Sequence, residues 1–230
     1  LAGAGIGTIG FVDDDIVELS NLHRQVMHTS GRAGIAKVES AKIALKELNP
    51  NVDVLCFKER LTSENAERIA KDFDFILDAS DNAPTRYLAN DIAVQLKKPL
   101  VSGSSLRWEG QLTVYNYQDG PCYRCLFPNP PPAGSTTSCN EGGVVGVIPG
   151  IIGCLQALEV MKLALGRGDS DIFYKRMLIF DGLRMSMKTV KLRGRDPKCA
   201  ICGENPTAGK VADIDYKSFC NVGSCATPIT

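Results

Sequence analysis

Two C-x-x-C pairs restrict the folds open to this chain more than any other feature of its sequence. They are Cys122 with Cys125 and Cys199 with Cys202. Four thiolates suit a closed tetrahedral Zn²⁺ site, which is structural because it keeps no open position. The pairs lie further apart than in a zinc finger, so a metal would tie two distant segments together. A redox C-x-x-C is the competing interpretation, but the thioredoxin-like context that it prefers is absent.

The cysteine count also indicates a compartment. The chain has nine cysteines, an odd number, and no basic segment followed by an apolar run opens it. C-x-x-C spacing without a secretion signal indicates metal or redox chemistry rather than a disulfide framework. We therefore expect a reducing compartment, the cytoplasm. Cys56 and Cys154 lie in apolar runs typical of a core, and Cys220 and Cys225 lie in a weakly patterned C-terminal segment.

Predicted strands alternate with predicted helices, a pattern typical of a mostly parallel sheet. The clearest helix covers 37–48, where apolar residues recur at helical spacing. A long buried helix over 147–165 and a hairpin of 177–181 with 188–192 follow. The sequence predicts an α/β fold with a Rossmann-like, mostly parallel sheet, flanking helices, a four-cysteine zinc knuckle and a mobile catalytic-cysteine loop. The other predicted strands are 8–12, 52–57, 73–77, 100–102 and 110–117, and the other helices are 63–71 and 84–96.

Glycines near the start match a well-known spacing. The segment Gly5-Ile-Gly-Thr-Ile-Gly10 has the form G-x-G-x-x-G. A dinucleotide-binding loop of this form follows a strand and opens a helix, whereas here a predicted strand comes after the glycines. A tight turn into that strand is the favoured interpretation, and a nicotinamide oxidoreductase is the weaker alternative.

Polar side chains follow two of the predicted strands, Asp13 after the first and Asp81 and Asn82 after the third. Functional residues of parallel sheets gather at the carboxyl ends of the strands. An acidic residue there can accept hydrogen bonds from ribose hydroxyls, while Arg24 and Lys37 can place positive charge on phosphates. Asp81 can hold Mg²⁺ together with phosphate oxygens. Taken together these residues favour nucleotide binding over a solvated surface with ordinary salt bridges.

A candidate nucleophile lies in a polar loop after a run of prolines. It is Cys139, within Ser138-Cys139-Asn140. A nucleophilic cysteine needs exposure and thiolate character. The loop supplies the first, and the N-terminus of the following helix can favour the second. On composition alone, an unreactive loop thiol is an equally good interpretation.

Net charge and the apolar stretches indicate which kinds of partner to expect. Lys plus Arg is 26 and Asp plus Glu is 26, so the formal net charge is zero. A neutral chain is not expected to hold nucleic acid by bulk electrostatics, although a local basic patch is compatible with zero net charge. The longest apolar stretch, 144–158, is broken by Gly and Pro and falls short of a membrane span of about 20 residues. We therefore expect neither nucleic acid nor a membrane as a direct partner.

Three further motifs occur together: Ser20-Asn-Leu-His-Arg-Gln25, Lys37-Val-Glu39 and Asp78-Ala-Ser-Asp-Asn82. With the two C-x-x-C pairs they resemble the MoeB/ThiF family, adenylating enzymes related to the ubiquitin-activating enzymes. The resemblance covers residues 1 to about 205. The prolines before Cys139 and the Ser-Cys-Asn-Glu-Gly-Gly-Val around it are most similar to the eukaryotic branch. That branch acts on the ubiquitin-related modifier and on the small subunit of molybdopterin synthase.

This resemblance implies a mechanism. ATP and Mg²⁺ bind, and the C-terminal carboxylate of a ubiquitin-like protein ending in Gly-Gly attacks the α-phosphate. Pyrophosphate leaves, and the acyl adenylate passes to Cys139 as a thioester. Sulfur from a persulfide then gives a thiocarboxylate, for tRNA thiolation or molybdenum cofactor synthesis. By the same resemblance Asp13 binds ribose, Asp81 organises Mg²⁺, and the ATP-binding residues are Asp13, Ser20, Asn21, Leu22, His23, Arg24, Gln25, Lys37, Asp81 and Asn82.

The resemblance also implies partners and boundaries. A homodimer is expected, with active sites near its interface and a rhodanese-type domain as sulfur donor. The family's G-x-G-G-x-G phosphate loop is expected before Leu1 and is not in this sequence. We therefore expect an adenylation domain over 1–205 without its phosphate loop, and a tail or linker over 206–230 towards a rhodanese domain. Adenylation without a cysteine thioester, or a non-catalytic binding module of the same fold, are the alternatives.

Overall fold

A computed structural model describes residues 1–130 and 143–220. Strand β1 (Thr8–Val12) runs parallel to strand β2 (Asp53–Phe57), and helix α1 (Lys37–Leu48) connects them. Helix α1 has the predicted bounds. Gly5 and Gly7 precede β1 and Gly10 lies within it, so a strand follows the first glycines, as the favoured interpretation predicted.

A second sheet carries the rest of the strands in the order β3-β4-β5-β6-β7. Strand β3 (Ile76–Asp78) runs parallel to β4 (Leu100–Leu106). The three later pairs are antiparallel, and the predicted hairpin forms the last of them. The α/β fold with flanking helices is confirmed, and antiparallel strands extend the parallel part. These later strands are β5 (Glu109–Tyr115), β6 (Arg176–Asp181) and β7 (Ser186–Lys191).

Helix α2 (Ala66–Ala70) is short, and helix α3 (Ala83–Gln95) begins directly after β3. The side chain of Asn82 caps α3 by accepting a hydrogen bond from the Thr85 N–H at 3.0 Å, and Pro84 lies in its first turn. This start places Asp81 and Asn82 between the carboxyl end of β3 and the N-terminus of a helix.

Helix α4 (Tyr123–Leu126) holds the first C-x-x-C pair, and helix α5 (Val147–Ala164) packs across β4 and β5. Among the described residues, α5 is the one helix long and apolar enough to cross a membrane. Its inner side lies on the sheet, as in a core helix. The predicted long helix over 147–165 forms and is buried on one side, whereas Val147, Leu158 and Leu165 on its outer side are exposed.

The described chain ends in a packed segment. Val211, Tyr216 and Cys220 are buried in one cluster with Tyr87 and Ile92 of α3. The short helix α6 (Tyr216–Phe219) contributes to this cluster. Packing against α3 therefore continues through residue 220, past the boundary at 205 that the sequence predicted.

Candidate functional site

Three consecutive aspartates follow β1. One carboxylate oxygen from each of Asp13, Asp14 and Asp15 lies within 4.8 Å of the others. Lys37 Nζ lies 2.7 Å from Asp15 Oδ2, and Arg60 Nε lies 3.1 Å from Asp14 Oδ2. The structure therefore brings two predicted site residues, Asp13 and Lys37, to the carboxyl end of β1. Like charges this close hold their positions because cations lie beside them.

The segment 16–36 forms a loop that leaves β1 and returns to α1. Its two ends are joined by backbone hydrogen bonds from Val17 N–H to Ile35 O at 2.8 Å and from Gly34 N–H to Val17 O at 2.9 Å. The N–H of Lys37 also donates to Asp15 O at 2.9 Å. The whole Ser20–Gln25 motif is carried on this closed loop, which begins and ends at the acidic cluster.

Hydrogen bonds to Glu18 order the first part of the motif. Ser20 Oγ and Asn21 Nδ2 donate to Glu18 Oε2 at 3.3 and 3.4 Å. Leu22 is half-buried, and its N–H donates to Leu19 O at 3.3 Å. Sequence reasoning missed Glu18, although a carboxylate two residues before a hydroxyl is a common local partner.

The second part of the motif has features that suit a ligand. Arg24 Nη1 lies 2.8 Å from Nε2 of the exposed His23. Gln25 Oε1 is buried and has no hydrogen-bond partner among the residues that the structure describes. A buried acceptor without a partner costs about 1–3 kcal/mol. This atom therefore fits a ligand that donates an N–H or O–H, such as an adenine amino group or a ribose hydroxyl.

His28 lies on the same loop and is not a cation for phosphates. Its Nδ1 lies 2.9 Å from Ser40 Oγ. Burial lowers its pKa, and the nearby charges of Arg32 and Lys37 lower it further. The fold therefore holds the neutral imidazole at neutral pH.

Asp81 and Asn82 lie on a second loop, between β3 and α3. Asn82 Nδ2 lies 3.5 Å from Asp81 Oδ1, and both side chains are exposed. Within residues 1–130 and 143–220, no hydrogen bond or ion pair joins this loop to Asp13 or Lys37. The predicted phosphate-binding and Mg²⁺-binding residues are thus carried on two separate loops.

Asp78 starts that second loop and is buried. Its carboxylate lies 2.9 Å from Arg86 Nε and accepts hydrogen bonds from Ser102 Oγ at 3.1 Å and Ser80 Oγ at 2.6 Å. Because these bonds occupy the carboxylate oxygens, the Asp78 carboxylate orders the loop rather than contacting a ligand. Sequence reasoning missed Arg86, because nothing in a one-dimensional pattern shows that α3 turns back over the end of β3.

The four cysteines of the C-x-x-C pairs meet, as predicted. Their Sγ atoms are 3.6 Å apart for Cys122 and Cys199, 3.8 Å for Cys122 and Cys125, and 3.3 Å for Cys125 and Cys202. All four thiols are free. Tetrahedral zinc with Zn–S bonds of about 2.3 Å spaces its sulfurs about 3.8 Å apart. The donor set therefore fits such a metal.

The four thiols share protons through hydrogen bonds. These bonds lower the pKa of Cys125 and Cys199, whereas bonds to the other thiols together with burial raise the pKa of Cys122 and Cys202. Thiolates are the form that binds metal, so ligation releases the protons that Cys122 and Cys202 retain. The cluster can hold a metal ion.

A buried ion pair supports this centre. Arg124, between the first two cysteines, directs Nη2 at Asp91 Oδ2 at 2.6 Å and Nε at Asp91 Oδ1 at 2.9 Å. Its guanidinium carbon lies 4.2 Å from the ring centroid of Phe219. The Tyr216 hydroxyl also donates to Asp91 Oδ2, at 2.8 Å. The C-x-x-C segment, α3 and the C-terminal segment therefore share one polar cluster.

Cys139 and Cys225 lie outside the described residues, so the predicted role of Cys139 stays a prediction. The described chain resumes at Gly143, whose carbonyl accepts from the Arg107 N–H at 3.0 Å. A Cβ on Gly146 would lie 2.0 Å from the carbonyl oxygen of His23. The chain that follows the Cys139 segment thus passes directly against the Ser20–Gln25 motif.

Known proteins resemble this chain closely in sequence. It is 53% identical over 222 residues to the adenylyltransferase and sulfurtransferase MOCS3 of Culex quinquefasciatus, an alignment covering 96% of this chain and 50% of that protein. It is 54% identical over 228 residues to MOCS3 of Bos taurus, covering 99% and 49%. The chain therefore spans about half the length of the curated relatives it matches.

Solved structures share the fold, and the family can be assigned. Escherichia coli MccB in complex with ATP superposes with a TM-score of 0.74 at 19% identity, covering 88% of this chain and 60% of that one. PaaA superposes with a TM-score of 0.63 at 22% identity, covering 83% and 58%. Residues 1–201 match the sequence model of the ThiF family. The resemblance drawn from the motifs is confirmed, and this chain belongs to the ThiF family.

Proposed function

We propose that this chain is the adenylation domain of an enzyme that uses ATP to activate the C-terminal glycine of a ubiquitin-like sulfur carrier. One observation carries the proposal: the Ser20–Gln25 motif lies on a closed loop that returns to Lys37 and the acidic cluster at the carboxyl end of β1. ThiF proteins bind ATP. The MOCS3 relatives, matched along nearly all of this chain, are named adenylyltransferases and sulfurtransferases.

Each residue has a physical role in this proposal. Asp13 accepts hydrogen bonds from ribose hydroxyls, and Asp81 with Asn82 organises Mg²⁺. Cations offset the charge on the phosphates and amide N–H groups donate hydrogen bonds to it as pyrophosphate leaves, which lowers the barrier to attack by the carrier's carboxylate. Lys37 suits this because its side chain is only 12% exposed, and a desolvated cation interacts strongly. The phosphate-binding residues are Asn21, Arg24, Gln25 and Lys37, with Gln25 contacting phosphate through its Nε2 amide because its Oε1 can only accept a hydrogen bond.

The second half of the reaction is assigned to Cys139. Its thiolate attacks the acyl adenylate, AMP leaves, and the carrier is held as a thioester. The terminal sulfur of a persulfide on a rhodanese-type domain attacks the thioester and displaces the Cys139 thiolate, which leaves an acyl disulfide. A thiol then attacks the rhodanese sulfur of that S–S bond, so that the thiocarboxylate leaves and a disulfide forms between the thiol and the rhodanese cysteine. Support comes from Gly146, seven residues after Cys139, because Gly146 lies against His23 of the Ser20–Gln25 motif. Thiocarboxylates of this kind serve tRNA thiolation and molybdenum cofactor synthesis.

We assign Zn²⁺ to the four cysteines as a structural ion, because a site with four thiolate ligands keeps no open position. The same thiols support a cytoplasmic location, since they need reducing conditions. Neither a membrane nor nucleic acid is a proposed partner.

We propose that the chain forms a homodimer whose interface includes the outer side of α5. Val147, Leu158 and Leu165 are exposed there, and the charged side chains of α5, Glu159 and Lys162, pair with each other instead of facing solvent. An exposed apolar side of this kind marks an interaction surface. Leu158→Asp should convert the dimer to a monomer in analytical ultracentrifugation.

ATP–pyrophosphate exchange tests the central step. The purified full-length protein should exchange label only when a ubiquitin-like protein ending in Gly-Gly is present. Asp81→Ala, after β3, should lose exchange, whereas Asp74→Ala, before the same strand, should keep it. No exchange from a folded, zinc-loaded protein would refute the activating function and favour a binding module of the same fold.

Cys139→Ala separates the full reaction from adenylation alone. Exchange should survive this substitution, because the thioester forms after pyrophosphate has left. The thiol-sensitive conjugate with the carrier should disappear on a non-reducing gel, and Cys154→Ala should keep it. A conjugate that survives Cys139→Ala would leave an enzyme that adenylates without a thioester at this residue.

A further inference from the structure

Three strongly polar side chains interrupt the apolar helix α5: Gln156, Glu159 and Lys162. Glu159 and Lys162 form an ion pair. Gln156 differs because its partners are main-chain carbonyls of the sheet. Its Nε2 donates to Asp78 O at 2.9 Å and to Val101 O at 3.1 Å. The residue is 7% exposed, so water does not replace these bonds.

The Gln156 amide joins two strands where β3 ends. Asp78 is the last residue of β3, and Val101 belongs to the neighbouring parallel strand β4. The sheet leaves room for the amide at Gly103, where a Cβ would lie 2.5 Å from Gln156 Cδ. A buried amide and two buried carbonyls without partners are costly. The two hydrogen bonds from Gln156 therefore hold the main chain of Asp78 at a fixed position along β4.

Asp78 begins the loop that carries Asp81 and Asn82. From the opposite side its carboxylate is held by Arg86 and Ser102. Gln156 holds the backbone of the same residue, and it does so from a different element, α5. The loop is therefore anchored both to α3 and to α5.

Helix α5 also touches the other half of the site, since Gly146 at its start lies against His23. We propose that Gln156 is a positioning residue of the adenylation site: by holding Asp78 it sets the Asp78–Asn82 loop at a fixed place relative to the Ser20–Gln25 motif. This inference rests on the proposed function. One rigid helix then sets the spacing between the residues for phosphate and the residues for Mg²⁺.

Gln156→Met tests the proposal, because methionine keeps the length and removes both donors. Ile152→Val is the matched control, since it shortens a buried side chain of the same helix that packs on the same strand. We expect Gln156→Met to lower kcat of carrier-dependent exchange by about ten- to a hundredfold. It should also raise the Mg²⁺ concentration for half-maximal rate and leave KM for ATP within about twofold. Ile152→Val should lower the thermal midpoint without these kinetic changes.

Hydrogen exchange by mass spectrometry gives a readout that needs no activity. The amides of residues 79–82 should exchange faster in Gln156→Met than in Ile152→Val, at equal loss of thermal midpoint. Equal protection in the two variants, or equal kinetics, would overturn the proposal. If Gln156→Met does not fold, Gly103→Ala displaces the same amide and is measured instead. If the unaltered protein shows no exchange of label, the proposed function fails, and amide protection alone decides whether Gln156 holds the loop.

Discussion

The buried pair of Arg124 and Asp91 gives a quantitative test of how the metal centre is supported. Arg124→Met keeps a long side chain and removes the cation. The side chains of Arg124 and Asp91 are 5% and 0% exposed. After the substitution the hydrogen-bond donors that the described residues leave to the Asp91 carboxylate are Asn90, at 2.9 Å, and Tyr216, at 2.8 Å. A buried carboxylate is then left without a countercharge.

Breaking a buried pair from one side costs about 3–5 kcal/mol. The lost contact of the guanidinium with the Phe219 ring, 4.2 Å away, adds about 1 kcal/mol. We therefore expect Arg124→Met to lower the free energy of unfolding by about 4–6 kcal/mol. Replacing both partners, Arg124→Met with Asp91→Leu, removes the unpaired charge and should cost only about 2 kcal/mol.

Urea unfolding of the metal-loaded protein measures these differences. Arg60→Met is the control, because its pair with Asp14 is exposed and should contribute less than about 1 kcal/mol. The reasoning is refuted if Arg124→Met costs less than about 1 kcal/mol. It is also refuted if the double variant is no more stable than the single one.

Three other outcomes can be measured. Lys37→Met should lower kcat of ATP–pyrophosphate exchange by about a hundredfold, while Lys46→Met at the far end of α1 should not change it. Cys202→Ser should release the metal in a zinc assay and lower the thermal midpoint by about 10 °C, from a binding contribution of about 4 kcal/mol; a midpoint that does not move would contradict a structural ion. Because burial lowers the pKa of His28, the neutral imidazole stabilises the fold above the unfolded-state pKa, and this stability is lost as pH falls through the folded-state pKa. The free energy of unfolding should therefore decrease as the pH is lowered from about 7.5 to about 5, and His28→Gln should make this decrease smaller. An equal decrease in both proteins would exclude protonation of His28 as its cause.

Helix α1 and the four-cysteine cluster were predictable from the sequence, because each has a periodic or fixed-spacing signal. The strand predicted over 73–77 begins later, at Ile76. Phe73 precedes the strand and packs edge-on against Phe57, with ring centroids 6.5 Å apart. Its apolar character therefore reflects packing between β2 and the start of β3 rather than strand pairing, and a single sequence cannot separate the two.

No signal in the sequence indicated the turn between the antiparallel strands β4 and β5. Leu106 pairs with Glu109, so Arg107 and Trp108 alone connect β4 to β5. Arg107 adopts a positive φ of 54°, a conformation for which glycine or asparagine is the usual sequence signal. Neither is present, so the pattern gave no indication that the chain reverses here.

The parts of the candidate site that follow a single strand were predictable, but the contacts between elements were not. Asp13, Lys37 and the Ser20–Gln25 motif are continuous enough to be read from the sequence. Asp78, Arg86 and Gln156 are brought together by β3, α3 and α5. Their contacts depend on how helices lie on the sheet, which a single sequence does not contain.

The cysteine cluster also affects the conformational entropy of the chain between its two C-x-x-C pairs. Cys122 and Cys199 are 77 positions apart, and the loop between them contains residues 131–142, α5 and the β6–β7 hairpin. Closing a loop of this length costs about 4–5 kcal/mol of chain entropy at 25 °C, which metal–sulfur bonds would offset when the four cysteines hold an ion. This entropy depends on the logarithm of loop length, so about ten added residues would change it by only about 0.1 kcal/mol. With the cluster closed by a metal, insertions or deletions of this size between Cys122 and Cys199 would therefore have almost no effect on the entropy of folding.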